Sequence, residues 1–232
     1  MTASRTARER VRAELTREIA DIARRQLATE GAGGLSLRAV AREMGMVSSA
    51  IYRYFPSRDD LLTTLIIDGY NALGEAVERA DAACSPDDYL GRWLVACHAV
   101  RDWAVAHPHE YALLYGSPVP GYHAPQDTVS ARVRDVAVYG RILSEAYHAG
   151  ALTPPPPAPA PPPAAVAETA VIGELMPGVP GDVLLRCVTA WTGLYGWINF
   201  EVFGQFENTI EDRRAVFDHS ARLLAGMMGL AQ

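Results

Sequence analysis

Apolar residues recur every three or four positions along most of the chain, which is the spacing of one face of an α-helix. This spacing predicts an all-α fold. Glycine and proline clusters separate the predicted helices, because both residue types interrupt helices. The predicted helices cover residues 11–30, 37–44, 48–55, 61–80, 86–106, 108–115, 126–149, 164–175, 183–203 and 210–230.

Two short helices joined by a glycine-containing turn are predicted between residues 36 and 56. The first begins after Ser36, a residue type that caps helix N-termini, and its apolar stripe consists of Leu37, Val40, Ala41 and Met44. Gly45 follows, and glycine tolerates the left-handed conformation that often ends a helix. Ser48 or Ser49 can then cap the second helix. A connection of this length containing glycine is the sequence form of a helix-turn-helix.

The second short helix separates apolar from polar positions. Its apolar positions repeat every four residues and are expected to face the first helix: Val47, Ile51 and Phe55. Its opposite side carries Ser48, Ser49, Tyr52 and Arg53. Hydroxyls and helix N-terminal amides bind phosphate, and an arginine can reach a base edge or hold a phosphate. This side therefore fits double-stranded DNA, although an ordinary solvated face of a small helical bundle has the same composition.

A proline and a capping pattern predict the start of the next helix. Pro56 ends the second short helix, and Ser57 with Asp60 three residues later resembles a capping box. Arg58 lies in the first turn, where a cation is unfavourable to the helix dipole unless an anion such as a DNA phosphate is nearby. Arg58 is therefore a further candidate for a contact with DNA.

Residues from about Val11 to Leu73 resemble the DNA-binding domain of TetR-type transcriptional regulators. The matching positions are Ala41, Met44, Gly45, Met46, Val47, Ser48, Tyr52, Tyr54, Phe55, Arg58, Asp59, Asp60, Leu61 and Leu62. The resemblance implies that Tyr52, Tyr54 and Arg58 contact DNA phosphates, and that Arg38 and the start of the second short helix contact bases. The full predicted DNA-binding set is Ser36, Arg38, Ser48, Ser49, Tyr52, Arg53, Tyr54 and Arg58.

Charge is distributed unevenly along the chain. Residues 1–60 hold 11 arginines against 8 acidic residues, a net charge of +3, whereas residues 61–232 hold 10 against 19, a net charge of −9. The basic part coincides with the helix-turn-helix. We therefore predict a basic tail at 1–10, either disordered or lying along the minor groove, a DNA-binding domain at 11–60, and a second helical domain at 61–232. Residues 153–163 are expected to form an extended proline-rich loop.

The second domain offers candidates for effector binding and for dimerisation. Aromatic and thiol side chains on its middle helices could line an apolar cavity, or could simply form core: Trp93, Cys97, Tyr111, Tyr115, Tyr139 and Trp191. Glycine inside a helix costs about 1 kcal/mol relative to alanine, so Gly193 and Gly196 suggest close approach of another helix. The resemblance implies that the last two helices pair with those of a second subunit, which adds Phe217 and Leu224 to the dimerisation set.

These features predict a homodimeric DNA-binding transcriptional regulator, specifically a repressor that binds a palindromic operator and is released by a small apolar or aromatic effector. A regulator without an effector, whose second domain only dimerises, is the alternative. An enzyme is disfavoured because no GxSxG, GxGxxG, P-loop or HExxH pattern occurs. Proline separates His107 from His109 and no third ligand follows, so no metal or cofactor is predicted.

Two further expectations concern the environment of the chain. Three cysteines cannot pair completely and show no CxxC spacing, so reduced thiols are expected, with a redox sensor left open. Neither a secretory signal nor a membrane-spanning run is evident, so a soluble, cytoplasmic protein without a membrane partner is predicted.

Overall fold

The computed structural model describes residues 2–153 and 160–230, with side chains from residue 6 onward. Every regular element in these residues is helical, which confirms the predicted fold class. A 3-10 turn at Gln126–Thr128 precedes the helix Val129–Arg132. The helices are α1 (Thr2–Gly34), α2 (Leu37–Glu43), α3 (Ser48–Ile51), α4 (Arg58–Ala82), α5 (Tyr89–Ala106), α6 (Pro108–Tyr115), α7 (Val129–Arg132), α8 (Arg134–His148), α9 (Pro163–Ala167), α10 (Ala170–Gly173), α11 (Gly181–Val202) and α12 (Arg213–Met228).

The chain folds into two compact units. Unit 1 consists of Met1–Asn71 and His107–Ala131, and unit 2 consists of Ala72–Ala106 and Arg132–Gln232. Helix α4 therefore begins in unit 1 and ends in unit 2. The sequence patterns did not indicate that the segment from α6 to α7 belongs with the N-terminal helices. The division into functional domains at 11–60 and 61–232 stays a prediction.

The core of unit 1 is built from the apolar stripes of α1 to α4. The stripes meet in one cluster of buried side chains, and the segment around α6 adds Leu113, Val119 and Tyr122 to its edge. The hydroxyls of Thr63 and Tyr122 are 2.9 Å apart, which fastens this segment to α4. The cluster is formed by Ile19, Ala20, Ile22, Ala23, Leu27, Leu35, Leu37, Val40, Ala41, Ile51, Phe55, Leu61, Leu62 and Leu65.

The N-terminal tail is helical in the structure. Residues 1–10 were expected to be disordered or to lie along the minor groove, and α1 begins at Thr2. The stretch contains two alanines and three arginines, residue types that favour helix even where no apolar face is present. The predicted end of the first helix is partly right, because Gly31 has φ 67° and ψ 176° and interrupts the helical conformation within α1.

Unit 2 packs α5 against α8, α11 and α12, and α11 also packs along α12. A methyl group added to Gly193 would lie 3.1 Å from Leu224 Cδ2, so this glycine allows α12 to approach α11 closely. The single helix predicted over 126–149 is divided between the 3-10 turn, α7 and α8, and the one predicted over 164–175 between α9 and α10.

Two expectations bear on the rest of the chain. Most of the proline-rich loop predicted at 153–163, namely residues 154–159, lies outside the described residues. None of the helices in the described ranges is both long enough and apolar enough to cross a membrane.

Candidate DNA-binding interface

The candidate reading helix α3 is short and is anchored by two side chains. Ile51 and Phe55 are buried in the core of unit 1, as predicted. Val47 was expected beside them but is 71% exposed, because it lies before the first turn of α3 and serves as its N-cap residue. The prediction that Ser48 or Ser49 caps α3 is therefore wrong, and no side chain caps this helix.

The solvent side of α3 carries the polar residues predicted to read DNA. Ser48, Ser49 and Arg53 are exposed, Tyr52 is 43% exposed, and Tyr54 is partly buried. The uncapped N-terminal amides of α3 and the two serine hydroxyls can together donate hydrogen bonds to a phosphate or a base edge. The chemistry of this side is that of a duplex-binding surface, and the role of each side chain in binding DNA stays a prediction.

The start of α2 presents a second part of this surface. Ser36 Oγ accepts a hydrogen bond of 3.5 Å from the amide of Ala39, so this serine is the N-cap of α2 as predicted. Arg38 is exposed in the first turn of the same helix. Gly45 has φ 66°, the left-handed conformation expected for the turn between α2 and α3. The two helices thus form the predicted helix-turn-helix.

Arg58 has structural partners that the sequence did not indicate. Its guanidinium donates hydrogen bonds to three backbone carbonyls, those of Ala32 at 2.6 Å, Leu35 at 3.1 Å and Gly33 at 3.4 Å. These carbonyls lie where α1 ends and α2 begins, so Arg58 holds this connection against the first turn of α4. Its donors are largely used within unit 1, which makes a phosphate contact less favourable than the resemblance implied.

Arg12 is a further functional candidate, indicated by its contacts in the structure. Its Nη2 donates a hydrogen bond of 2.9 Å to the carbonyl of Arg53, and its guanidinium carbon lies 5.7 Å from the centroid of the Tyr54 ring. Both partners directly follow α3. The only available signal was an arginine next to a basic stretch, and no local pattern links position 12 to position 53.

Two sets of arginines in unit 1 differ in whether they have acidic partners. One group has acidic partners: Arg24 lies 2.6 Å from Asp68, and Arg25 lies 2.8 Å from Glu43. The other group is exposed and has no acidic partner within the described residues: Arg8, Arg10, Arg38, Arg42 and Arg53. Cations without acidic partners are available for phosphates only where a bound duplex reaches them, and phosphate contacts carry most of the affinity of proteins for DNA.

The six candidate effector-binding residues are divided between the units. In unit 2, Trp93 Nε1 donates to the carbonyl of Ala221 at 2.9 Å, and the Tyr139 hydroxyl donates to the carbonyl of Ala96 at 3.2 Å. Their rings lie 5.3 Å apart in an edge-on arrangement. The polar ends of both side chains are satisfied within the unit, so their geometry is equally that of plain core.

Trp191 has a free hydrogen-bond donor among the described residues, whereas Cys97 and Cys187 are buried thiols. The Trp191 ring lies 5.3 Å from that of Tyr195, and its Nε1 is buried without a hydrogen-bond partner in the described residues. This indole could therefore donate to a bound molecule. Burial raises the pKa of the Cys97 thiol well above its ordinary value and raises the pKa of Cys187 to about 12, so both favour the unreactive thiol.

The remaining two candidates lie in unit 1. Tyr111 is buried, its ring centroid is 5.1 Å from that of Tyr115, and Tyr115 packs edge-on against Tyr70 at 5.9 Å. Three surface depressions of about 480, 550 and 230 Å³ have other linings, none of which includes any of the six candidates. The role of the six residues in effector binding stays a prediction.

The predicted dimerisation residues have different environments. Phe217 is only 1% exposed and its ring contacts His98 and Trp197 of the same unit, so it belongs to the core of that unit. Position 217 falls on the inner side of α12, and a role of Phe217 in dimerisation stays a prediction. Gly193 and the partly buried Leu224 meet within one chain, whereas a Cβ on Gly196 would meet nothing within 4 Å.

Comparison with known proteins identifies the family. Residues 19–65 match the family model for bacterial regulatory proteins of the TetR family, and residues 93–224 match the model for the tetracyclin repressor-like C-terminal domain. The chain belongs to the TetR family. It is therefore a DNA-binding transcriptional regulator, and its helix-turn-helix consists of α2 and α3.

Similar proteins span the TetR-family chain almost completely. The HTH-type transcriptional regulator Rv1816 of Mycobacterium tuberculosis is 42% identical over 228 residues, which are 97% of this chain and 94% of that protein. The crystal structure of SCO4313 is 33% identical, has a TM-score of 0.77, and matches over 94% of this chain and 98% of its own. FadR from Bacillus subtilis, in complex with stearoyl-CoA, is 15% identical with a TM-score of 0.53 over 93% and 98% of the two chains.

Proposed function

We propose that this regulator is a ligand-responsive repressor: it binds a palindromic operator as a homodimer, and a small apolar or aromatic effector bound to its C-terminal part releases it. The observation that carries the proposal is helix α4, which runs without interruption from Arg58 to Ala82. At 1.5 Å per residue it is about 37 Å long. It starts three residues after the buried Phe55 that anchors the reading helix, and it ends inside unit 2.

The unit 2 end of α4 is held by a network of charged side chains. Asp81 is buried and accepts hydrogen bonds from Arg92 at 2.7 Å and from Arg141 at 2.6 Å. Glu78, one turn earlier, pairs with Arg134 at 2.6 Å. Arg92 belongs to α5, and Arg134 and Arg141 belong to α8, so a change in the packing of these helices would move the end of α4.

The unit 1 end of α4 is also held by side-chain contacts. Ser57 and Asp60 cap it, with the Asp60 amide donating to Ser57 Oγ at 3.1 Å, and Arg24 of α1 pairs with Asp68 at 2.6 Å. A shift of α4 at its far end would therefore be transmitted to the DNA-binding helices. An effector acts only through its difference in affinity for the two states, which typically amounts to about 1 to 3 kcal/mol.

Two copies are needed because the reading surface is small. Helix α3 has only four residues, and two-fold symmetry would place two such helices in successive major grooves about 34–36 Å apart. The last two helices supply an apolar surface for this pairing. Phe200 and Phe203 of α11 and its following turn are exposed, and on α12 Val216 is exposed and Leu223 is 62% exposed.

The fold is compatible with a small-molecule effector, since FadR holds stearoyl-CoA in a chain of this fold. Because operator DNA is the proposed partner, we also propose a cytoplasmic location. One observation favours the alternative of a regulator without an effector. The polar ends of Trp93 and Tyr139 are satisfied by backbone carbonyls, so unit 2 could be a solid dimerisation domain.

The proposal is tested with the full chain and DNA from the region upstream of its own gene. The dimer should bind this duplex at nanomolar to micromolar concentration, and a panel of aromatic and long-chain apolar compounds should include one that raises the melting temperature and releases the DNA. Tight binding without any stabilising compound would favour the effector-independent regulator. A compound that stabilises the protein without releasing the duplex would contradict the repressor mechanism.

A further inference from the structure

The N-terminal end of α1 lies beside the end of the reading helix and is held there by Arg12. The Arg12 guanidinium donates to the Arg53 carbonyl at 2.9 Å and lies over the Tyr54 ring. The contact joins positions 41 residues apart in the chain. The end of α1 that carries Arg12 precedes residues 19–65, the part of the chain matched by the family model.

Helical geometry then decides which side chains share the face of Arg12. Successive residues turn by about 100°, so Arg8 lies within about 40° of Arg12 and about 6 Å closer to the N-terminus, whereas Arg10 lies about 160° away. In the other direction the same stripe continues through Thr16 to the fully buried Ile19. Arg8 therefore lies on the side of α1 that faces the rest of unit 1, about one turn before Arg12 and its contacts. Arg10 lies on the opposite side of the helix.

The electrostatic setting of Arg8 favours an anion from outside the protein. Arg8 is exposed and has no acidic partner among the described residues, unlike Arg24 and Arg25 of the same helix. The neighbouring Glu9 already has an interaction of its own. DNA bound to α3 would bring a row of phosphates past the end of this helix, since phosphate density along a duplex is about one charge per 1.7 Å.

We propose that Arg8 binds a backbone phosphate next to the site read by α3, and that Arg12 is the positioning residue that holds α1 at the required distance. The inference rests on the DNA-binding function of the family. It makes the N-terminal end of α1 a rigid, helical part of the DNA-binding surface, rather than the disordered tail or minor-groove arm that its composition suggested.

The test compares three single variants and one double variant of the full chain on one long duplex of mixed sequence. Binding is measured by fluorescence anisotropy between about 50 and 200 mM salt, and the slope of log K against log salt counts the phosphates neutralised. Arg8→Ala is expected to reduce the slope by about 0.9, the value for one phosphate contact. Arg10→Ala is the matched control, an exposed arginine of the same helix on the opposite face, and should leave the slope unchanged.

Arg12→Ala separates positioning from direct contact. If Arg12 acts through Arg8, the double variant Arg8→Ala/Arg12→Ala should lose no more slope than Arg8→Ala alone. Additive losses would show that Arg12 itself contacts a phosphate and would overturn its positioning role. Circular dichroism of each variant verifies that the helices remain folded.

The other outcomes are equally decisive. Equal losses for Arg8→Ala and Arg10→Ala would mean that the tail binds without a fixed helical register, and unchanged slopes for both would mean that it does not touch DNA. Either result overturns the inference while leaving the regulator intact. If the wild-type chain bound no duplex even at the lowest salt, the DNA-binding function itself would be contradicted.

Discussion

Replacing Arg58 by alanine should destabilise unit 1 without removing a phosphate contact. The Arg58 guanidinium donates to the carbonyls of Ala32 and Leu35 at 2.6 and 3.1 Å, and its side chain is 32% exposed. Hydrogen bonds from a charged donor contribute about 1.5 to 3 kcal/mol each. Two of them, with water replacing part of what is lost at a partly exposed site, give an expected loss of about 2 to 4 kcal/mol.

Hydrogen exchange measures this loss where it occurs. The opening free energy of the amides of α2 and of the first turns of α4 should fall in Arg58→Ala, because the carbonyls at the α1–α2 connection lose their donors. Arg58→Lys should recover only part of the loss, since an ammonium group cannot reproduce the planar fork of donors. The slope of log K against log salt for DNA binding should stay unchanged in both variants.

Arg53→Ala is the matched control for this experiment. Arg53 is exposed at the end of α3 and its side chain has no acidic partner in the described residues, so its removal should change the opening free energy by less than about 0.5 kcal/mol. If Arg53 contacts a phosphate, the salt slope should fall by about 0.9. The reasoning about Arg58 is refuted if Arg58→Ala leaves exchange unchanged but reduces the salt slope by a similar amount.

Three further predictions concern unit 2. Leu223→Glu should weaken the dimer by about 2 to 4 kcal/mol, as two copies each lose partial burial of a leucine, and sedimentation should show dissociation that the control Val129→Glu does not cause. Asp81→Asn should lower the unfolding free energy by about 3 kcal/mol. Burial alone would raise the pKa of Asp81, but hydrogen bonds from Arg92 and Arg141 lower it below its ordinary value. The ionised carboxylate therefore stabilises the fold above about pH 4, and this stabilisation is lost as the pH falls through the folded-state pKa. The stabilities of wild type and variant should converge in acid. Burial raises the pKa of Asp135 despite the hydrogen bond from Tyr195. The free energy of unfolding that depends on this carboxyl group should therefore fall as the pH rises above about 4, the opposite direction to Asp81. Asp135→Asn should remove this fall in unfolding free energy when unfolding is measured across pH.

Local signals predicted the helix-turn-helix because its geometry depends on neighbouring residues. Ser36 caps α2, Gly45 takes the left-handed conformation in the turn, and Ser57 with Asp60 caps α4. Each feature involves positions no more than three residues apart, so the sequence displays it directly. The bounds of α6, Pro108–Tyr115, followed for the same reason from a proline at the first position.

Contacts between distant positions could not be read in this way. Arg58 reaches carbonyls 23 to 26 residues earlier, and Arg12 reaches one 41 residues later. The inward orientation of Phe217 depends on how α12 packs, since both faces of that helix carry apolar residues. The prediction for Val47 was wrong because the four-residue period was extended back to position 47, which lies one residue before α3 begins at Ser48.

The most direct test of the account is selection of duplexes from a random-sequence pool by the purified full chain. The account predicts enrichment of an inverted repeat whose half-site centres are about 34–36 Å apart, one turn of the duplex, or a multiple of that spacing. Each half-site should be bound by one copy of the chain. Enrichment of a single unrepeated element bound by one copy, or no enrichment at all, would contradict a pair of α3 helices reading symmetric DNA.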